Sequence, residues 1–235
     1  LFRRSRRTEI KEELISHLAH DLKKPLTSIR MFSEMLENDR VQSEEKRKEY
    51  YRIISLESER LVQLARNILD FSCIKNRGRR CHKKPEDFVA VIEEATTRFQ
   101  SHLLGKTHQI TLEVLHMHAQ MIEIDADSIS QALINLLSNA VKYSPAGSQI
   151  KVVLSKAKNK VVLSICDQGI GIPKKEMTAI FREYCRGESL EVRNREGIGL
   201  GLALVRHVVM AHNGSIRVNS EEGKGSEFII ELPVN

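Results

Sequence analysis

Two groups of residues, more than a hundred positions apart, have the types and the spacing for chemistry. The first is HDLKKPL (residues 20–26), in which a carboxylate directly follows a histidine. A carboxylate beside an imidazole can hold the tautomer that leaves one ring nitrogen free to attack, and it can accept the released proton. The second group runs from Asn135 to Gly225 and contains asparagines, an aspartate and glycine-rich turns. The first group offers a nucleophile, and the second offers the polar groups that a magnesium-bound nucleotide needs.

His20 is the candidate nucleophile because it lies away from the apolar side of its helix. Between Leu14 and Leu36 apolar residues recur at a helical period, and on an ideal helix His20 lies roughly opposite to them. Pro25 stands inside this helix, where proline costs about 3 kcal/mol, which indicates a purposeful local kink. His17, one turn earlier, lies nearer the apolar stripe, and we interpret it as a packing residue.

The segment NLLSNAVKY (135–143) predicts a helix face that binds a cation and phosphate. Asn135 and Asn139 are four positions apart and share one face. Neutral amide oxygens can bind Mg²⁺ while water and phosphates fill the rest of its octahedron. Lys142 lies three residues beyond Asn139, where an ammonium group can neutralise phosphate charge. Taken alone, this segment is more often an ordinary polar end of a helix.

Glycine-marked segments follow along the chain. Asp167 ends an apolar strand in DQGIGI (167–172), where its carboxylate can accept the adenine amino group and the glycines let backbone approach the base. GIGLGL (197–202) opens a helix whose free N–H groups can meet phosphate, although it does not match the P-loop pattern. The polar segment 181–196, with Arg186, suits a lid over triphosphate. GKGS (223–226) is consistent with a nucleotide contact or with a simple hairpin turn. The order and spacing of all these segments predict that ATP phosphorylates a histidine.

Two long helices are expected to carry the histidine. Apolar periodicity predicts helices over about 8–36 and 43–74, with a turn signal at Asn38. A hairpin alone cannot bury both apolar stripes, so we expect a four-helix-bundle dimer.

The chain from residue 85 onwards predicts a two-layer α/β sandwich, because helices alternate with largely hairpin-connected strands. Either Asp127 or Ser128 is expected to cap its middle helix. The predicted helices are 87–104, 128–142 and 200–211, and the predicted strands are 109–115, 121–125, 149–155, 160–166, 215–218 and 227–232. The predicted domains are a basic, juxtamembrane-like segment at 1–8, a dimerisation and histidine-phosphotransfer hairpin at 9–74, a linker at 75–84 and a catalytic, ATP-binding domain at 85–235.

The formal net charge of +6 is unevenly distributed, with 21 basic against 13 acidic residues in 1–84 and 16 against 18 in 85–235. Nucleic acid is the obvious alternative partner, but acids and bases interleave along helix-like sequence, so we expect solvated faces and no nucleic acid. No stretch approaches about 18 uninterrupted apolar residues, the length of a membrane span. Four arginines within the first seven residues favour a membrane segment upstream of Leu1, with an arbitrary chain start as the alternative.

The cysteines and the remaining histidines do not favour a metal site. His116 and His118 could form a metal pair on one strand face, but without thiols or acids at ligand spacing we interpret them as solvent-facing strand residues. The four cysteines have no CxxC spacing and are expected to be reduced; they are Cys73, Cys81, Cys166 and Cys185.

Over about residues 8–235 the chain closely resembles the cytoplasmic core of bacterial two-component sensor histidine kinases. HDLKKPL resembles the phosphoacceptor box, NLLSNAVKY the asparagine box, DQGIGI and GIGLGL the glycine boxes, and FREYCR (181–186) the phenylalanine box. The resemblance implies a homodimeric helical hairpin followed by a Bergerat-type ATP-binding fold, with ATP and Mg²⁺ as cofactors. It also implies the receiver domain of a response regulator as phosphoryl acceptor, and a location on the cytoplasmic side of the bacterial inner membrane.

Carried over by position, the resemblance implies His20 as nucleophile, Asp21 as its orienting base and Arg186 as a catalytic contact to phosphate. Asn139 would bind Mg²⁺, with Asn135 assisting. The nucleotide-binding residues implied are Asn135, Asn139, Lys142, Tyr143, Asp167, Gly169, Gly171, Gly197, Gly199, Gly201, Leu202 and Ser226.

The chain departs from the family pattern at Lys24. Many members with phosphatase activity carry Thr or Asn four residues after the phosphoacceptor, where the side chain can position a hydrolytic water. A lysine ammonium group has no acceptor atom, so we predict robust autokinase activity and weak dephosphorylation of the regulator. Tyr184 replaces a second Phe of the phenylalanine box, and Ser226 replaces a common Thr.

Two other functions are open to the same chain. An ATP-gated clamp of the same ATPase superfamily would use water as acceptor and would have no need of His20, Asp21 and Pro25. A basic helical module that binds DNA would have no need of the nucleotide motifs, which argue against it.

Overall fold

The computed structural model describes residues 19, 22–38, 43–77, 82–103, 108–183, 185 and 199–234. The chain divides into a helical unit and an α/β unit, with the main division between Asn76 and Arg77. Among the described helices, none combines the length and the apolar composition required to cross a bilayer.

The helical unit contains the two helices that the periodicity predicts. α1 covers 22–37 and ends where Asn38 folds back, because its backbone N–H and its Nδ2 both donate to Glu34 O, at 3.1 and 2.7 Å. These bonds satisfy a carbonyl that the helix end would otherwise leave unpaired. Pro25 is buried within α1. The predicted start of this helix at residue 8 lies outside the described residues.

The second helix, α2, covers Glu44–Arg77. Ser43 caps it, since the Ser43 Oγ accepts from Lys46 N at 3.4 Å. The hairpin closes through aromatic packing, with the ring centroids of Phe32 and Tyr50 lying 4.7 Å apart. The predicted linker at 75–84 stays a prediction, as do the other domain boundaries.

Both helices present large apolar side chains to solvent in the single chain. Their exposed fractions range from 42 to 64%, and an apolar surface of this kind usually marks a protein interface. These residues are Leu26, Met31, Tyr51, Val62 and Leu69.

The α/β unit is built on a five-stranded sheet. The strands of this sheet are β2 (Gln109–Leu115), β4 (Gln149–Ala157), β5 (Lys160–Cys166), β6 (Ser215–Glu221) and β7 (Gly225–Pro233). A separate pair of strands consists of β1 (Lys84–Asp87) and β3 (Met121–Ile124). The helices are α3 (Phe88–His102), α4 (Ala126–Tyr143) and α5 (Gly201–Ala211). The sheet order is β2-β4-β5-β7-β6, in which β2 and β4 are parallel and the other pairs antiparallel, while β1 and β3 form the separate antiparallel pair.

The helices and the sheet form two layers around one core. Alternate residues of β4, namely Ile150, Val152 and Leu154, are fully buried. They belong to the same core as Leu133 and Leu137 of α4. Partly exposed positions of the five strands carry ion pairs, each at 2.8 Å, and these are Lys151–Glu113, Lys160–Glu231 and Arg217–Glu231. The predicted two-layer α/β sandwich is therefore confirmed.

The cap of α4 was predicted wrongly. Asp125 begins the helix, and its Oδ1 accepts from Ser128 N at 3.0 Å, whereas Asp127 and Ser128 both lie inside the helix. The strand β3 ends at Ile124, one residue earlier than expected, so Asp125 lies outside the strand and serves as N-cap.

Two other local features differ from expectation. β1 was not predicted, because its sequence KPED is short, contains proline and has no apolar alternation. His116 and His118 do not lie on a strand: both follow the end of β2 and are exposed, and His116 has φ of 54°.

Candidate functional site

One edge of α4 carries the polar residues that the sequence singles out. Asn135 is buried, with 6% of its surface exposed, whereas Asn139, Lys142 and Tyr143 are half-buried. This edge borders the apolar face that packs into the core. The helix therefore holds four functional candidates in fixed relation to one another and to the sheet.

Asn135 lies beside the start of α5. A Cβ built on Gly201 would lie 3.8 Å from both Cγ and Oδ1 of Asn135, so α5 begins against this amide. The Asn135 Nδ2 is buried and has no hydrogen-bond partner among the described residues. A buried polar atom without a partner is uncommon, and it indicates a place for a polar ligand or water. Because Nδ2 is a donor, the partner that it lacks is an acceptor such as a phosphate oxygen or a water, whereas the Oδ1 of the same amide is the kind of neutral oxygen that Mg²⁺ binds.

The C-terminal end of α4 meets the DQGIGI loop. Tyr143 O accepts from Ile170 N at 3.2 Å, and a Cβ on Gly169 would lie 2.8 Å from the same oxygen. The Lys142 Nζ lies 4.6 Å from the centroid of the Tyr143 ring. A cation over an aromatic face is stabilised by the ring quadrupole. The positive charge of Lys142 is also stabilised by the negative, C-terminal end of the dipole of α4.

Asp167 is held by backbone groups at the end of β5. Its Oδ1 accepts from Gly169 N at 2.8 Å and from Ser226 N at 3.1 Å. Among the described residues both hydrogen bonds go to Oδ1, so Oδ2 is an acceptor that a ligand can use. Burial raises the pKa of the Asp167 carboxyl above its ordinary value, and the two backbone hydrogen bonds oppose that rise.

Close packing explains the glycines of this loop. Gly171 has φ of 70°, and a Cβ there would lie 2.1 Å from Glu221 O. A Cβ on Gly169 would also lie 2.8 Å from the Asp167 Oδ1. These glycines let the loop approach α4 on one side and the β6–β7 turn on the other, which holds the carboxylate of Asp167 in place.

Ser226 is positioned by a hydroxyl that sequence reasoning missed. Ser220 Oγ accepts from Ile172 N at 2.8 Å and donates to Gly225 O at 2.8 Å. Because Ser220 has only one hydroxyl proton, Ser226 Oγ must be the donor in their 2.9 Å contact. Ser220 lies on an alternating polar strand, and no local signal distinguishes it from its neighbours.

The second glycine motif opens α5. Gly199 has φ of 73°, a conformation that glycine adopts without strain, and α5 begins two residues later at Gly201. Leu202 packs against the core. The first N–H groups of a helix have no partner within it, so this end of α5 can receive an anion beside Asn135.

Phe181 begins the proposed lid, of which the structure describes 181–183 and Cys185. Its ring meets that of Phe228 edge-on, with centroids 6.3 Å apart. Several candidates lie outside the described residues: His17, His20, Asp21, Tyr184, Arg186 and Gly197.

The described part of the site thus combines three kinds of group. It has a carboxylate held at a strand end, an amide of buried Asn135 whose nitrogen has no partner among the described residues, and a helix N-terminus next to that amide. A base with an exocyclic amino group fits the first, and a hydrated metal ion with phosphates fits the other two. This arrangement is suited to a nucleoside triphosphate.

Two family models match the chain. The His Kinase A (phospho-acceptor) domain matches residues 10–77, and the histidine kinase-, DNA gyrase B- and HSP90-like ATPase matches residues 124–235.

Known proteins resemble the chain over most of its length. The sensor histidine kinase WalK of Bacillus subtilis is 29% identical over 95% of this chain, which spans 36% of the length of that relative. The solved structure of the mycobacterial sensor histidine kinase MprB is 29% identical with a TM-score of 0.55, covering 64% of this chain and 97% of that one. The histidine kinase ThkA, solved in complex with the response regulator protein TrrA, shares the fold at 24% identity and a TM-score of 0.66, covering 99% of this chain and 64% of that one. With a phospho-acceptor domain followed by an ATPase domain of this type, the chain belongs to the sensor histidine kinases of two-component systems.

Proposed function

We propose that this chain is an ATP-dependent protein-histidine kinase that phosphorylates its own His20 and passes the phosphoryl group to an aspartate of a response regulator. The observation that carries the proposal is that α4 contacts both glycine motifs, at Asn135 the start of α5 and at Tyr143 the loop that holds Asp167, in a domain whose family model is an ATPase. The phospho-acceptor family model over 10–77 supplies the matching substrate in the same chain.

Within the nucleotide site, each described residue has a distinct task. Asp167 accepts the adenine amino group through Oδ2, and the Gly169 and Ser226 backbone keeps that oxygen oriented. Lys142 neutralises phosphate charge, and the N–H groups at the start of α5 donate to phosphate oxygens. Asn139, with Asn135 assisting, holds Mg²⁺, which when bound neutralises charge on the phosphates.

His20 is the proposed nucleophile and Asp21 its proton acceptor. A neutral imidazole attacks the γ-phosphorus in line as the bond from that phosphorus to the bridging oxygen of the β-phosphate breaks, so ADP is the leaving group. The ring proton released from the other nitrogen goes to the carboxylate of Asp21. Arg186 contacts the transferred phosphoryl group from the lid. His20 and the ATP of the catalytic domain approach each other when that domain moves about the linker at 75–84.

The proposed assembly is a homodimer on the cytoplasmic side of a bacterial membrane. Exposed apolar side chains on α1 and α2 support dimerisation through a four-helix bundle. The complex of ThkA with a response regulator supports the same class of partner for this chain. We expect no nucleic acid partner.

Incubation with γ-labelled ATP and Mg²⁺ tests the proposal. Acid-labile, alkali-stable label is expected on the wild-type chain and absent from His20→Gln and Asn139→Ala. Ser138→Ala, an exposed neighbour on α4, and His118→Gln, an exposed histidine elsewhere, are the matched controls and should keep the label.

Each contrary result has a defined meaning. Label that survives in His20→Gln moves the acceptor to another residue, with His17 tested next. ATP hydrolysis without any labelled protein contradicts the proposal and favours the ATP-gated clamp.

A further inference from the structure

His212 joins the end of α5 to the start of α4. It is 3% exposed, its Nε2 accepts from Asp125 N at 2.9 Å, and its Nδ1 lies 2.8 Å from Val208 O. A backbone N–H can only donate, so Nε2 is the unprotonated nitrogen, and Nδ1 carries the proton that is donated to Val208 O. His212 is therefore a neutral imidazole with both ring nitrogens bonded.

Asp125 makes this bond part of a larger junction. Its Oδ1 accepts from Ser128 N at 3.0 Å, its Oδ2 accepts from His82 N at 3.2 Å, and its carbonyl accepts from Ile129 N at 3.0 Å. One residue thus holds the first turn of α4, the chain that enters β1, and the imidazole of His212. A shift of His212 moves all of these together.

The junction lies at the opposite end of the helix pair from the nucleotide site. Asn135 meets Gly201 at the start of α5, and Asp125 meets His212 just after its end, so the two helices run antiparallel. Asp125 and Asn135 are separated by about 15 Å of continuous helix. Two fixed points on a rigid pair determine how far α5 can slide along α4.

We propose that His212 is a positioning residue for the nucleotide site: through Asp125 it fixes where α5 lies along α4, and thereby where Gly201 meets Asn135. The inference rests on the proposed function, because it takes this end of the helix pair as the place where ATP binds. Protonated His212 cannot accept from Asp125 N–H, so acid breaks the junction and weakens nucleotide binding.

The surroundings of His212 keep it neutral near pH 7. Burial lowers the pKa of His212 below its ordinary value of about 6.5, and Lys83 lowers it further, whereas the bond to Val208 O and the Asp125 carboxylate act in the opposite direction. The unfolded chain consequently binds this proton at a higher pH than the folded chain does. The stability contributed by neutral His212 is present above about pH 6.5 and is lost as pH falls from there towards the folded pKa.

Binding of Mg·ADP to the full chain, measured by calorimetry between pH 7.5 and 5.5, tests the proposal. His212→Gln keeps an oxygen acceptor but does not titrate, so its affinity should stay within about threefold of wild type at pH 7.5 and fall less in acid. His212→Leu removes both bonds and should weaken binding about fivefold or more at pH 7.5. His118→Gln, which replaces an exposed histidine, should follow the wild-type curve. Wild type and the two His212 variants share every other titrating group, so differences between their curves report His212.

Several results would overturn the proposal. Coincident pH curves for wild type and His212→Gln would do so, as would wild-type affinity in a folded His212→Leu. A purely structural role would be indicated if Val161→Ala, which lowers stability by truncating a fully buried side chain of β5, weakened binding equally. Should His212→Leu fail to fold, the comparison of wild type with His212→Gln decides alone.

Amide hydrogen exchange separates this inference from the proposed function. A wild-type chain that binds no Mg·ADP contradicts the proposed function, and the position of α5 is then tested without nucleotide. Faster exchange over 205–208, whose N–H groups are bonded within α5, is the expected result in His212→Leu, and unchanged exchange there overturns the positioning role.

Discussion

Asp167 is oriented by backbone groups, with no basic side chain among its described partners, and this determines how it responds to pH. Burial raises the pKa of its carboxyl, so it protonates sooner on acidification than an ordinary aspartate. A charged hydrogen bond to a ligand contributes about 1.5–3 kcal/mol. We expect Asp167→Asn to weaken Mg·ADP binding about tenfold or more at pH 7.5.

Calorimetric titrations over pH check this prediction. The wild-type affinity should fall as pH decreases towards the raised pKa, while Asp167→Asn should lack that component. Equal affinities at pH 7.5, or parallel pH curves, would remove Asp167 from adenine recognition.

Lys24 is the residue at which we expect this chain to differ from phosphatase-active relatives. It is exposed on α1, four residues after His20, and its ammonium group cannot accept a hydrogen bond from an attacking water. Lys24→Thr should raise dephosphorylation of the purified phospho-regulator several-fold. Lys23→Thr, the exposed neighbour, is the control and should have no effect, and an unchanged rate in Lys24→Thr would refute the explanation.

The sequence was sufficient to select the candidate site residues by their chemical type, but it did not predict the groups to which they are hydrogen-bonded. The amide spacing of Asn135 and Asn139 and the strand-terminal position of Asp167 are local signals, and they were sufficient to select these residues. The bond from Ser226 N to Asp167 depends on the register of β5 against β7. That register joins residues far apart in the chain, so no short-range pattern could predict it.

At the scale of elements, the glycine loop after β5 is held by close backbone contacts. Gly171→Ala combines the strain of φ at 70° with a Cβ only 2.1 Å from Glu221 O, so we expect a loss on the order of 3 kcal/mol in the free energy of unfolding. Gly147 has φ of 85° but nothing within 4 Å of a Cβ, and Gly147→Ala should cost about 1–2 kcal/mol.

Urea unfolding followed by circular dichroism compares the two variants. The Gly171 variant should also bind nucleotide more weakly, because the displaced loop carries Asp167. Equal losses in both variants would show that backbone strain alone, and not the contact with β6, makes glycine necessary.

Elements with strong periodicity were predictable, and those defined by tertiary contacts were not. The helices and the β4–β5 hairpin follow from apolar spacing in their own residues. By contrast, β1 exists because it pairs with β3, and the cap of α4 depends on where β3 stops. In both cases the deciding interaction comes from outside the segment.

For the whole molecule, the two units differ in how completely one chain can bury their apolar surface. The α/β unit has its own core, whereas α1 and α2 leave residues such as Leu69 exposed. We expect the chain to be a dimer through these helices. Leu69→Glu should weaken the dimer at least about tenfold, because a charge would have to be buried at the interface.

Sedimentation equilibrium measures this change. Met210→Glu is the matched control, since Met210 is as exposed as Leu69 but lies on α5 of the other unit. A wild-type chain that sediments as a monomer, or equal dimer loss in the two variants, would contradict dimerisation through the hairpin.

The parallel pairing of β2 with β4 has a consequence for synthesis. Parallel strands cannot be joined by a tight hairpin, and the connection between these two contains β3 and α4. The ends of this long connection meet only when β4 is present. The entropic cost of closing the loop then comes before the contacts between β2 and β4 that offset this cost. On the ribosome, the helix with Asn135 and Asn139 therefore lacks the part of its core that β4 supplies until residues 149–157 have emerged. ATP in the cell can stabilise the nascent domain only after that point.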